Sequence, residues 1–150
     1  MSDRPESAFV EDFAQMLVEG GMPRMPARVF AAVLAEDTGR LTAQELAERL
    51  QVSAAAILGA VRYLVQARLL LRGREPGARA DHYRLSEDDH WYESMLQRSQ
   101  VLERFEQSAA RGAEALGDRP AGRRLRETQE FFAFLRRELP AMMERWHASR

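Results

Sequence analysis

The chain has 150 residues, 45% hydrophobic and 30% charged, with a formal net charge of -1, so neither disorder nor an overall basic composition describes it. That length holds one compact domain, or a small domain with a long helical appendage, and excludes two independent enzyme-sized domains. With no cysteine there is no disulfide or thiolate metal site; with no apolar run near the about 20 residues of a membrane helix and no signal features in "MSDRPES", the expected compartment is the cytoplasm.

Phe9, Phe13, Met16, Leu17 and Gly20 recur at helical spacing, which predicts an amphipathic helix over 6–19 closed by Gly20-Gly21. "GMPRMP" interrupts the chain. Pro26 fits the first turn of a second helix, with Val29, Phe30, Val33 and Leu34 on one face and Gly39 marking its end. Thr42-Ala43-Gln44-Glu45 reads as a capping box that opens a third helix over 43–51, whose core face is Leu46, Ala47 and Leu50. Ser53 then caps a fourth helix reaching about Gln66. Ile57, Val61, Leu64 and Val65 face inward on it, and Ala54, Ala55, Leu58, Gly59, Arg62 and Gln66 face outward.

"LLLRGR" and "DHYRL" suit the two strands of a hairpin, with a Pro-Gly turn in the intervening "EPGARA". Alternation places Leu71, Tyr83 and Leu85 on one side, and Arg72, Arg74, His82 and Arg84 on the other. Charge is uneven along the chain. Residues 3–19 carry Asp3, Glu6, Glu11, Asp12 and Glu19 against Arg4, whereas residues 68–84 carry Arg68, Arg72, Arg74, Arg79 and Arg84 against Glu75 and Asp81. Positive charge therefore gathers just after the two-helix unit.

From Ser86 the period is helical again, with Trp91, Met95, Leu102, Phe105, Ala109 and Leu116 near a heptad spacing until Gly117-Asp118-Arg119-Pro120 stops it. A last helix over 121–147 repeats the spacing with Leu125, Phe132, Leu135, Leu139, Met142 and Trp146, and Pro140 is expected to kink or split it. Phe131 and Phe134 lie off that stripe. A helix apolar on more than one side points to contact with a second chain.

The fold class that follows is mainly α with a small β-hairpin wing: a winged helix-turn-helix plus long C-terminal dimerisation helices. Its expected divisions are an N-terminal helix at 1–22 joining the dimer region, the winged helix-turn-helix at 23–86, and a helical dimerisation region at 87–150. "GMPRMPARVFAAVLAED", "LTAQELAERLQVS" and "GAVRYLVQARLL", in that order, resemble the MarR family of bacterial transcriptional regulators, and within it the GbsR-like branch, over about residues 9–135. The resemblance implies a homodimer held by the terminal helices, each winged helix addressing one half-site of an inverted repeat in double-stranded DNA, and a small-molecule effector acting between the two regions. Repression is the expected sign of regulation, again from the resemblance. Departures from the family pattern are Ala54 and Leu58, where proline and serine are frequent, Arg68 in place of a helix-ending glycine, and Ala80 in place of a second basic residue after Arg79.

The candidate DNA contacts are Thr42, Ser53, Ala54, Ala55, Leu58, Arg62, Arg72, Arg74, Arg79 and His82. Only Ser53, Arg62 and Gln66 on the outward face of the fourth helix carry hydrogen-bond donors for base edges, so direct readout is expected to be sparse. Ala54, Ala55 and Gly59 would let the helix axis sit close to a groove floor, although Gly59 equally suits close approach of another helix. Leu58 fits either a contact on a thymine methyl or a core position. Phosphate contact would come from Arg72, Arg74, Arg79 and the N-terminal amides of the third and fourth helices, with Arg79 the candidate for the minor groove.

Candidate dimerisation residues are Phe9, Phe13, Leu102, Phe105, Phe132, Leu135, Leu139, Met142 and Trp146. Trp91, Tyr92 and Met95, together with Met22, Met25 and Phe30, either line an effector pocket for an apolar or cationic molecule or pack helices together. Asp89, His90 and Glu93 could share a helix face, yet acidic residues in a first turn serve the helix dipole, so no metal site is assigned. No nucleophile, acid or base constellation is present and no cofactor is implied, which disfavours a small enzyme. The competing reading is a winged helix used as a protein-interaction or scaffold domain without specific DNA binding.

Overall fold

The computed structural model describes residues 5–86 and 90–150, in two compact units that divide between His90 and Trp91. The first contains α1 (Pro5–Glu19), α2 (Arg24–Leu34), β1 (Arg40–Thr42), α3 (Ala43–Leu50), α4 (Ala54–Gln66), β2 (Leu71–Gly73) and β3 (His82–Arg84). The second is a pair of long helices, α5 (His90–Leu116) and α6 (Pro120–Ala148).

The core of the first unit is built around α2. Val29, Phe30 and Val33 are fully buried, and Leu46 of α3, Ile57, Val61 and Leu64 of α4, and Leu70 join them. Each such aliphatic or aromatic side chain contributes about 1.5–3 kcal/mol by leaving water. The small residues Ala27, Ala31 and Ala32 are buried as well, because α2 is covered by α4 on one side and on another by α1 through Val10 and Ala14. The N-terminal helix, placed by its sequence with the dimer region, thus lays Val10 and Ala14 into the core of the first unit while Phe9 and Met16 stay exposed.

α2 starts at Arg24 and so holds Pro26 in its first turn, as the sequence reading has it, where the amides have no intrahelical acceptor. Its other end differs from that reading. It ends at Leu34; Gly39, at φ 69°, instead turns the chain into β1. α3 and α4 start where their caps place them. Thr42 Oγ1 accepts from the Glu45 amide at 3.1 Å while the Thr42 amide donates to Glu45 Oε1 at 2.9 Å, and Ser53 Oγ accepts from the Ala56 amide at 3.2 Å. Gln51 adopts a left-handed conformation at the end of α3, and so lies outside that helix. Thr42→Ala is expected to destabilise the first unit by about 1 kcal/mol, read from the denaturant midpoint.

The sheet has three strands in the order β1-β3-β2, all antiparallel, rather than a lone hairpin. Register overturns the expected division of its faces. Arg72 pairs with Tyr83, and Leu41 pairs with Tyr83 from the other side, so these three share a face; Leu71 lies opposite Arg84 and shares the other face with it and with His82. Alternation within a strand is fixed by the pleat, but which face of one strand meets which face of the next depends on pairing register. Tyr83 is buried on the core side and the guanidinium of Arg72 reaches back over its ring, 5.9 Å from the centroid.

In the second unit α5 and α6 pack together through a tight connection. Gly117 is left-handed at φ 60°, and a Cβ on Gly122 would lie 2.0 Å from the Gly117 carbonyl oxygen, so only glycine lets α6 start this close to the end of α5. Phe105 stacks on Phe132 with ring centroids 5.0 Å apart, and Arg136 forms a bidentate pair with Glu106. The hydrogen bond from Arg136 holds the Glu106 carboxyl below its ordinary value and raises the Arg136 guanidinium in turn. Of the kink or split expected at Pro140, the split does not occur: α6 is continuous from Pro120 to Ala148.

Candidate nucleic-acid interface

α4 presents its outward residues as expected. Ser53, Ala54, Ala55, Leu58, Gly59, Arg62 and Gln66 are exposed, against the buried row Ile57, Ala60, Val61 and Leu64. Leu58 is 50% exposed, which places it on the outward face and not in the core. Nothing lies within 4 Å of where a Cβ on Gly59 would stand, so no packing inside the chain requires a glycine there. Arg62 forms no ion pair among the described residues.

The caps add donors beside this face. Thr42 and Ser53 use an oxygen lone pair for the helix amides, which leaves each hydroxyl proton available to a phosphate oxygen. The remaining first-turn amides of α3 and α4 supply the positive end of each helix dipole.

The wing carries the charge. Residues 74–80 are all exposed, Arg79 among them, and Arg79 forms no ion pair among the described residues. Arg72 and Arg74 instead converge on Asp81: Arg74 Nε donates to Asp81 Oδ1 at 2.8 Å, and Arg72 Nε lies 4.0 Å from Oδ2. Glu75 pairs with Arg40 of β1. His82 is half-buried, its ring lying against Gly73, where a Cβ would come within 2.7 Å of Nε2. Sequence reasoning counted Glu75 and Asp81 but assigned them nothing, and passed over Arg40; the available signal was two carboxylates flanking a Pro-Gly turn among arginines.

Other candidate residues fall elsewhere. Met22 and Phe30 belong to the core of the first unit and Met25 packs against it half-buried, while in the second unit Trp91 is exposed and Tyr92 stacks on His147 at 4.7 Å beside a half-buried Met95. One concavity of the first unit is lined by Glu6, Glu11, Glu36, Asp37, Glu45 and Glu48 with Arg28 and Arg49, a carboxylate-rich surface that repels phosphate. Phe9 stacks on Phe13 in α1; along α5 and α6, Leu102, Phe132, Leu135 and Leu139 are half-buried, and Phe105, Met142 and Trp146 are exposed. Among the described residues no cluster of three metal-ligating side chains occurs, and Asp89 lies outside them. No described helix is long and apolar enough to cross a membrane.

This arrangement, a capped helix pair with an arginine-bearing hairpin beside its second helix, matches known proteins at both ends of the chain. Residues 20–80 match the MarR family model, and residues 89–149 match that of the MmpR5-like MarR family transcriptional regulators. The chain belongs to the MarR family of transcriptional regulators. A solved structure described as a transcriptional regulator has a TM-score of 0.86 at 26% identity, over 98% of this chain and 100% of the other. TrmBL2, an archaeal chromatin protein whose structure shows a novel mode of DNA binding, shares the fold at a TM-score of 0.54 and 23% identity, over 71% of this chain and 40% of that one. No curated protein matches.

Membership makes this a DNA-binding regulator and not an enzyme. Gly59→Ala is expected to stabilise the protein by about 0.5–1 kcal/mol, because α4 gains helix propensity without an internal clash. The same methyl stands on the outward face, so duplex affinity falls while the melting temperature rises. Differential scanning calorimetry and fluorescence anisotropy on one sample check both signs.

Proposed function

We propose that this MarR-family regulator is a cytoplasmic homodimeric repressor of the GbsR-like branch, which binds an inverted repeat in duplex DNA with one half-site per protomer and lets go when a small molecule binds. The observation that carries the reading is the pairing, within one unit, of an exposed small-residue helix face on α4 with the exposed arginines of the wing. Ala54, Ala55 and Gly59 allow close approach to a major groove floor, with Ser53, Leu58 and Arg62 reading what they reach. Arg72, Arg74, Arg79 and His82 address the backbone and the adjacent minor groove, and Thr42 offers its hydroxyl to a phosphate. Affinity is then mostly electrostatic and base discrimination modest.

Self-association is supported by the exposed aromatic residues of α5 and α6, among them Phe105, Phe131, Phe134 and Trp146. An effector is supported by the aromatic and methionine residues at the start of α5, where Tyr92 stacks on His147. DNase footprinting on the DNA flanking the protein's own coding region tests the whole reading. The expected result is a protected site with two symmetric halves about 34 Å apart, one helical turn. A single asymmetric half, or no protection, overturns it.

One observation favours a second reading, a winged helix that binds protein: α4 offers few base-edge donors. Retention of genomic fragments that is abolished in an Arg72→Ala/Arg79→Ala variant decides for DNA.

A further inference from the structure

The wing carries its own countercharge. Asp81 directly precedes β3, accepts from Arg74 Nε at 2.8 Å, and lies 4.0 Å from Arg72 Nε, while Glu75 neutralises Arg40 across the sheet. The two arginines are more than half exposed, at 54% and 57%, and Asp81 is 31% exposed. Ion pairs this wet contribute little to folding, and the hairpin is already held by its ladder from Leu71 to Gly73 and from His82 to Arg84. Stability therefore does not account for a carboxylate placed between the two guanidinium groups. What the carboxylate does match is a DNA phosphate, another anionic oxygen acceptor for the forked donors of arginine.

We infer that Asp81 is an intramolecular competitor for phosphate, which weakens the grip of the wing on duplex of any sequence. The inference rests on the DNA-binding reading above. To reach a backbone, Arg72 and Arg74 must exchange Asp81 for phosphate oxygens, and the exchange leaves an uncovered carboxylate facing a polyanion. Arg79, unpaired among the described residues, meets the duplex without such an exchange. The wing then behaves as if it carried one positive charge fewer than its arginines supply, which limits how much regulator is held by bulk DNA.

The test is Asp81→Asn, which keeps the shape and removes the charge, with Asp81→Ser as a second variant that also removes the amide. Both are titrated by fluorescence anisotropy into a random-sequence 25-mer duplex (about two and a half turns) over a range of salt concentrations. The expected result for both variants is about 5–10-fold tighter binding near 0.1 M salt, with the slope of log K against log salt steeper by about one unit. Unchanged or weaker binding with an unchanged slope overturns the inference, since Asp81 would then only shape the wing. Wild-type protein that ignores duplex even at low ionic strength overturns the DNA-binding reading and this inference with it. Wild-type binding without a variant effect overturns this inference alone.

Discussion

Replacing Arg72, Arg74 and Arg79 together by alanine is expected to weaken duplex binding on the order of 10²-fold per protomer near 0.1 M salt, and to flatten the salt slope by two to three units. The magnitude follows from counterion release, in which each neutralised phosphate contributes about 0.9 to the slope. All three side chains are exposed on one short hairpin, and their removal leaves the carboxylates Glu75 and Asp81 against the half-buried Arg84 alone. The variant therefore loses attraction and gains repulsion. Arg62→Ala should behave differently: it removes the single charge of α4, lowers affinity by about 1–3 kcal/mol, and alters preference at the base pair it reaches more than it alters the slope. Anisotropy titrations at four salt concentrations separate the two patterns. A triple variant that keeps the wild-type slope would mean that the wing does not touch the backbone.

What the sequence made legible was whatever a local rule determines. The starts of α3 and α4 are set by Thr42 and Ser53, whose hydroxyls each accept from the amide three residues on, and both helices begin there. The inward row Ile57, Val61 and Leu64 follows from the 3.6-residue period alone. Non-local features were not legible. β1 is three residues long, too short for alternation to register, and exists because β3 offers it a partner. The faces of the hairpin were misassigned because Leu71 and Tyr83 have the same parity in sequence but are offset by one in the ladder, where Arg72 is the residue opposite Tyr83. Pro140 is expected to kink or split α6, and the split does not occur, since a proline removes one intrahelical hydrogen bond and the rest of a 29-residue helix remains. Arg68 shows the same limit from the other direction. The resemblance leads one to look for glycine there, and the arginine takes the left-handed conformation, at φ 62°, because Leu69 and Leu70 on its far side are anchored in the core. At the wing, charge counting found the arginines but not their pairing with Asp81, which only the fold brings about.

The second large effect concerns the long helices. Phe131→Glu combined with Phe134→Glu is expected to raise the dimer dissociation constant at least about 10³-fold and to reduce affinity for a two-half-site duplex by about 10²–10⁴-fold. Phe131 is 57% exposed and Phe134 53%, and Val101 and Phe105 of α5 add 43% and 53%. Aromatic surface left in water forgoes about 1.5–3 kcal/mol per side chain, and a two-fold interface counts every loss twice. Four glutamates placed across such a contact also repel one another. The hairpin of α5 and α6 itself should survive, because Gly122 against Gly117, Phe105 on Phe132 and the Arg136–Glu106 pair do not involve the two substituted side chains. Helical circular dichroism near that of the wild type, together with a halved mass in sedimentation equilibrium, is the expected combination. DNA affinity falls because the second half-site then has to recruit its own protomer from solution, losing an effective local concentration in the millimolar range, about 1 mM. If the substituted protein remains dimeric, the aromatic faces serve another partner; if the wild type is already a monomer at micromolar concentration, the inverted-repeat mechanism has no second reading head.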